Sequence, residues 1–279
     1  MINILSVIPP CPRIKVLDIG AMATGDDIYT ALTAAGLATI IGFECVQEEC
    51  EKLNAASNGV HRFLPYALGD GRQRTLYHGR ASMTSSLYEA DMALLEKFQN
   101  LANLAEVVRR ETIATHRLDD IPEAADPDFI KLDVQGAELD VMNGADNALA
   151  TSVVIHTEVA FLHGYKDAPL FAEVDQRLRR AGFVFHRFHG FGSRAFKPLV
   201  INNDLNQGLS QMLWADAVYV RDFMALDQVP ADKLLKMAVI LHLIYGSVDL
   251  ALQVLMAYDA KMASTTASAY LSGLTGQML

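Results

Sequence analysis

Val16-Leu17-Asp18-Ile19-Gly20-Ala21-Met22-Ala23-Thr24-Gly25 is an apolar run that carries one acidic residue and opens into a small-residue turn. Residues 15–19 are short and rich in Val, Ile and Leu, as suits a strand buried on both faces, and segment 28–35 can continue as helix. A buried strand, a tight glycine turn and a helix N-terminus make a nucleotide-type site. Glycine lets a ligand approach the backbone, and the turn exposes free N–H groups.

Outward from that stretch, Gly36 ends the helix and residues 39–44 form a second apolar run closing on Glu44. A carboxylate at the end of the second strand, about 20 residues beyond the glycine loop, can accept hydrogen bonds from both hydroxyls of a ribose. The plainer alternative is a solvated Glu at a strand end. Residues 48–56 read as helix and 61–68 as a third strand, leading to the turn Gly69-Asp70-Gly71. A short strand over 74–78 precedes the hydroxyl-rich loop 82–87, which either closes over a ligand or merely turns. Across 89–107, Leu94, Leu95, Phe98, Leu101 and Leu104 recur at helical spacing and are assigned to core packing. Residues 111–116 read as extended.

A second stretch, Phe129-Ile130-Lys131-Leu132-Asp133-Val134-Gln135-Gly136-Ala137-Glu138, runs from an apolar strand into a helix with Leu139 and Met142 on its buried face. Charges in a central strand are costly to bury unless paired or functional, so Lys131 and Asp133 are either a structural pair or part of a site. Residues 152–159 form another β-branched run, holding His156 and Glu158, and a loop with His163 follows. His156 is expected to be satisfied within its strand. An amphipathic helix over 170–181 leads to 183–188 and 215–220, expected as an antiparallel edge pair. The alternation up to residue 188 argues for a doubly wound α/β fold with ligands at the C-terminal ends of its strands.

Beyond Pro230 the pattern is helix only, which divides the chain into a sheet domain, 1–228, and a helical appendage with a fraying tail, 229–279. Segment 237–258 has the length of a membrane span, but His242, Gly246, Asp249 and Gln253 interrupt it. Packing on the sheet domain or a homodimer contact is expected instead. The charges, 23 basic and 33 acidic for a net −10, argue against a nucleic-acid partner. Cys11, Cys45 and Cys50 offer neither a disulfide framework nor a zinc cluster, and the N-terminus lacks the charged start of an export signal, so a mature N-terminus and a cytoplasmic location are expected. His186 and His189 on one strand point to opposite faces, and no metal is expected.

A dinucleotide site wants Gly-x-Gly-x-x-Gly, and Met22 sits where the second glycine belongs. S-adenosylmethionine, which carries no phosphate, needs less: a turn, an acidic residue for the ribose, and apolar or hydroxyl groups near the adenine. Asp18, Gly20, Glu44 and segment 66–70 supply that set.

The combination of Val16-Leu17-Asp18-Ile19-Gly20-Ala21, Gly42-Phe43-Glu44, Ala67-Leu68-Gly69-Asp70, Ser85-Ser86-Leu87, Leu118-Asp119, the 129–138 motif and Trp214-Ala215-Asp216-Ala217 resembles the FkbM-type S-adenosylmethionine-dependent methyltransferases over residues 15–222. The family's usual first loop is Asp-x-Gly-Ala-Asn-x-Gly, and Met22-Ala23-Thr24-Gly25 departs from it. The resemblance implies a Rossmann-like, doubly wound, mostly parallel methyltransferase core that transfers methyl to a hydroxyl oxygen of a sugar or polyketide-type small molecule. The cofactor residues are then Asp18, Gly20, Ala21, Gly25, Glu44, Cys45, Ala67, Leu68, Ser86 and Asp133.

Such an enzyme must hold the acceptor oxygen about 3–3.5 Å from the methyl carbon and remove its proton. Asp133, Glu158 and His163 are the candidate catalytic residues. Trp214 either lines the acceptor pocket or belongs to the core. A nicotinamide-dependent oxidoreductase and a non-catalytic S-adenosylmethionine-binding or assembly protein remain the alternatives.

Overall fold

The computed structural model describes residues 2–20, 27–57 and 59–276. The elements run β1 (Ile14–Ile19), α1 (Thr30–Ala34), β2 (Ala38–Phe43), α2 (Gln47–Ala56), β3 (His61–Leu64), β4 (Gln73–Gly79), α3 (Met92–Leu95), α4 (Leu101–Ala105), β5 (Val107–Ala114) and β6 (Phe129–Leu132). They continue α5 (Glu138–Asn143), α6 (Asp146–Thr151), β7 (Val154–Ala160), α7 (Phe171–Arg180), β8 (Phe183–Ser193), β9 (Met212–Arg221), α8 (Ala231–Leu243), α9 (Val248–Met262) and α10 (Thr266–Thr275).

Seven strands form one sheet in the order β3-β2-β1-β6-β7-β9-β8. The first five pair in parallel, while β9 runs antiparallel to both β7 and β8. The doubly wound sheet and its antiparallel edge pair are thus as the sequence indicates. Strand order reverses direction at β1 and β6, and that switch point opens a crevice at the C-terminal edge.

The sheet's two faces are covered differently. Leu17, Ile19, Ile130, Leu132 and Ile155 pack against α5, α6 and α7. Val16, Phe129, Val154 and Val220 face α8 and α9. Ten consecutive residues of α8, from Lys233 to His242, are buried, because the sheet lies on one side of it and α9 and α10 pack with it in the same core. A helix enclosed all round has no polar face to show, which explains why its sequence approaches a membrane span. Among the described residues, no helix is long and apolar enough to cross a membrane. Residues 231–275, set apart by the sequence, supply the layer that covers this face of the sheet.

Burying α8 also buries Lys233 and Lys236. Both reach Asp128, itself fully buried just before β6: Lys236 Nζ lies 2.9 Å from Oδ2 and Lys233 Nζ 2.7 Å from Oδ1. Asp126 adds a second carboxylate 2.8 Å from Lys233, so the two cations meet two anions.

Segment 89–107 departs from the continuous helix expected of it. Asn100 takes φ +61°, which separates α3 from α4, and Val107 already belongs to β5. β4 and β5 form a separate antiparallel ribbon. With α3, α4 and loop 82–87 it makes a lid over the C-terminal edge of the sheet. Arg74 and Tyr88 dock the lid onto Asp140 of α5, at 3.0 and 2.8 Å.

Candidate functional site

Along the α8-facing side of the central strands, the chemistry changes within two residues. The register aligns Val16, Phe129, Val154 and Val220 in one row and Asp18, Lys131, His156 and Val218 in the next. Glu158 then aligns with Asp216. An apolar face therefore turns polar toward the C-terminal edge, where a cleft of about 1190 Å³ opens between the strand ends and the lid.

The described candidates Asp18, Gly20, Glu44, Cys45, Ala67, Leu68, Ser86, Asp133 and Glu158 all line this cleft. Ala21 and Gly25 lie outside the described residues. Gly20 holds φ +81°, and a Cβ there would sit 1.8 Å from the Asp133 carbonyl oxygen. The ends of β1 and β6 consequently meet flush, with Asp133 N–H donating to the Ile19 carbonyl at 2.9 Å.

Asp18 is committed within the protein. Its Oδ2 accepts from the Tyr29 hydroxyl at 2.7 Å, and its Oδ1 lies 3.2 Å from Lys131 Nζ. Lys131 thus takes its ion-pair partner from the neighbouring strand rather than from Asp133. Burial works against the lysine charge, but Asp18 and Asp133 outweigh it and hold its pKa above the ordinary value. Lys131 also donates to the Gly20 carbonyl at 3.3 Å, which fixes the mouth of the first loop. Glu44 sits just beyond β2, where its Oε1 accepts from Val46 N–H at 2.7 Å, and burial raises its pKa.

At the centre, carboxylate oxygens of Asp133, Glu138 and Glu158 lie within 4.8 Å of one another. Gln135 holds two of them apart, its Nε2 lying 2.9 Å from Asp133 Oδ1 and 3.1 Å from Glu158 Oε2. Its own Oε1 faces the Tyr165 hydroxyl at 2.9 Å, and its carbonyl accepts from Ser86 Oγ at 2.5 Å. Glu138 caps the turn, accepting from Val134 and Gly136 N–H at 2.9 and 3.3 Å. Burial raises the Glu138 pKa to about 7, with Asp133 adding to the effect. Burial, then Asp133, raises Glu158 well above the usual carboxylate range.

His163 does not join this group. It is exposed, does not line the cleft, and its Nδ1 faces the Ala168 carbonyl at 3.1 Å. The histidines that do line the cleft are His78, His156 and His189. His156 Nδ1 lies 3.1 Å from the Tyr245 hydroxyl, so the chain just past α8 supports the floor of the site. Burial lowers the His189 pKa, and the neighbouring His156 lowers it further.

The sequence reading also omits Gln135, Glu138 and Tyr165 from the site. Gln135 carries φ +55° before Gly136 at +96°, a turn whose only signal in the sequence is the Gln-Gly pair. Core packing is only part of the account for Leu94, Leu95, Phe98, Leu101 and Leu104: Leu95 and Phe98 are buried and Leu101 packs against the small core that holds Leu95, as their spacing indicates, yet all five also line the cleft. An apolar stripe does not state whether it faces a core or a ligand.

A Rossmann-like sheet with a lidded cleft at its switch point and carboxylates at the strand ends belongs to the class of α/β proteins that bind small molecules in that crevice. A methyltransferase FkbM domain matches residues 18–185, more than half of the chain, and the protein belongs to that family. The fold is also similar to that of solved methyltransferases. A protein of Thermoplasma acidophilum described as a methyltransferase is 8% identical at a TM-score of 0.39, over 76% of this chain and 70% of that one. A variant of the 16S rRNA (adenine(1408)-N(1))-methyltransferase of Catenulisporales acidiphilia, with its cosubstrate S-adenosylmethionine, is 10% identical at 0.35, over 75% and 86%. An antibiotic-related methyltransferase is 12% identical at 0.32, over 78% and 91%. Comparison with curated proteins finds no match.

Proposed function

We propose that the protein uses S-adenosylmethionine to methylate a hydroxyl oxygen of a small molecule such as a sugar or polyketide-type metabolite. The observation that carries this reading is the carboxylate group around Gln135, which opens into the cleft beside Gly20.

The cofactor fits the β1–β3 half of the cleft. Gly20 leaves the backbone bare, Glu44 offers a carboxylate to the ribose, and Ala67, Leu68 and Ser86 supply apolar and hydroxyl surface. Among the described residues the cleft holds only Lys131 and Arg194 as strong bases, and Lys131 is taken by Asp18. That suits a cofactor without phosphates better than a nicotinamide dinucleotide, whose pyrophosphate wants donors. When bound, the cofactor supplies an electrophilic methyl group.

The protein's part is to position the hydroxyl, exclude water and take the proton. The lid excludes water. Glu158, made more basic by its surroundings, receives the hydroxyl proton, and the Gln135 amide fixes it relative to Asp133. The net charge of −10 and the acidic floor weigh against an RNA acceptor.

Calorimetric titration with S-adenosylmethionine and its demethylated product tests the proposal, alongside Glu44→Ala. Saturable binding, weakened about tenfold in the variant as the loss of hydrogen bonds to a charged group implies, supports it. No heat and no thermal shift at millimolar ligand overturns it.

A further inference from the structure

Arg194 stands apart from the other enclosed cations. Lys131 is paired with Asp18, and Lys233 and Lys236 with Asp128. Arg221 meets no carboxylate among the described residues, but its guanidinium donates to the carbonyls of Ser152, Ala181 and Leu149. Arg194, half-buried on the cleft wall just after β8, has among the described residues only the neighbouring Ser193 carbonyl as a hydrogen-bond partner, at 2.8 Å from Nη1. Its Nε is buried without a hydrogen-bond partner. Among the described residues it makes no ion pair, and Asp204, the acid whose charge it feels, does not offset the burial that lowers its pKa.

The guanidinium also has a built platform. Its central carbon lies 5.4 Å from the centre of the Trp214 ring. Trp214 in turn rests on Gly192, where a Cβ would meet Cε2 at 1.8 Å. Orphaned donors are expensive to bury in a protein that gains nothing from them, and a planar fork over an aromatic ring suits an oxyanion. The cleft volume exceeds the roughly 300–1,000 Å³ typical of a single small-molecule pocket, which leaves room for an acceptor beside a cofactor.

The geometry points to Arg194 and Trp214 as an anion subsite: the ligand carries a carboxylate or phosphate group that Arg194 binds, with its apolar body against Trp214, Leu213 and the lid leucines. Naming that ligand the methyl acceptor rests on the proposed function; the subsite does not. Its anion is held by Arg194 while its hydroxyl is presented to Glu158.

Trp214 is the only tryptophan in the chain, so its fluorescence reports this subsite alone. The whole protein is titrated with cyclohexanecarboxylate, cyclohexyl phosphate and neutral cyclohexanecarboxamide, each with and without the demethylated cofactor. The inference expects a saturable Trp214 response to at least one anion. The amide and the Arg194→Met variant give none, or bind about tenfold or more weakly, while Arg194→Lys keeps part of the response. Whichever anion binds more tightly names the group. An equal response to the amide, an unchanged response in Arg194→Met with the protein folded by circular dichroism, or no response to any probe overturns it. Failure to bind the demethylated cofactor while the anion response persists overturns the methyltransferase reading alone.

Discussion

Gly20 and Asp133 touch backbone to backbone: a side chain on the glycine would enter the Asp133 carbonyl oxygen, so the C-terminal ends of β1 and β6 abut. The carboxylate group of Asp133, Glu138 and Glu158 begins at the same junction. Gly20→Ala must part the strands and also hold a left-handed backbone. We expect a loss of about 1–3 kcal/mol from overpacking, read by chemical denaturation, and loss of cofactor binding in calorimetry. Wild-type affinity in that variant would show that the junction does not shape the site.

Glu138 makes stability depend on pH in a definite direction. Its pKa rises from 4.5 to about 7 on folding, so the folded protein binds more protons than the unfolded chain between those values. The contribution is therefore most favourable below pH 4.5 and is lost as pH rises through about 7. Glu138→Gln keeps an acceptor oxygen for Val134 and Gly136 but cannot ionise. It is expected to be more stable than the wild type at pH 8, by up to about 3 kcal/mol, with the gap closing toward pH 4.5. A constant gap across that range would refute the assignment.

The parts of this architecture legible in sequence are those where burial writes a simple pattern. β1, β2, β6 and β7 are short, mostly apolar runs, and Lys131, His156 and Glu158 within them and Asp133 just after β6 stand out because charge is rare there. The pairing of Lys131 with Asp18 was not legible, because it crosses two strands 113 residues apart in sequence and depends on their register. Nor was the lid. Leu94, Phe98 and Leu101 have the spacing of a core helix, and the break at Asn100 rests on a left-handed backbone. His163 follows Glu158 closely along the chain, yet its loop leaves it exposed and outside the cleft.

Asp128 carries much of the attachment of α8. Its carboxylate is fully buried, meets Lys233 and Lys236, and also accepts from Lys15 N–H at 2.8 Å. Removing its charge strands two buried ammonium groups, with Asp126 left to serve only Lys233. Asp128→Asn is expected to cost about 3–5 kcal/mol in urea denaturation. A loss below 1 kcal/mol would mean that water or movement of the lysines satisfies the pair.

Glu158 offers the sharpest test of the proposed proton transfer, because its role can be separated from binding. Burial and Asp133 favour its protonated form, so the active carboxylate is recovered only as pH rises. With an acceptor in hand, the wild-type rate should climb with pH and level off above the folded pKa. Glu158→Gln keeps an oxygen and an amide near Gln135 but accepts no proton. It should lower kcat by roughly 10²–10⁴, the usual worth of a positioned general base, and abolish that ascending limb. Cofactor affinity should remain within about twofold, since Asp18, Gly20, Glu44, Cys45, Ala67 and Leu68 lie toward the β1–β3 half. If the variant retains both the rate and the pH profile, the base is another group, and Asp133, whose carboxylate shares the Gln135 amide, becomes the first to test.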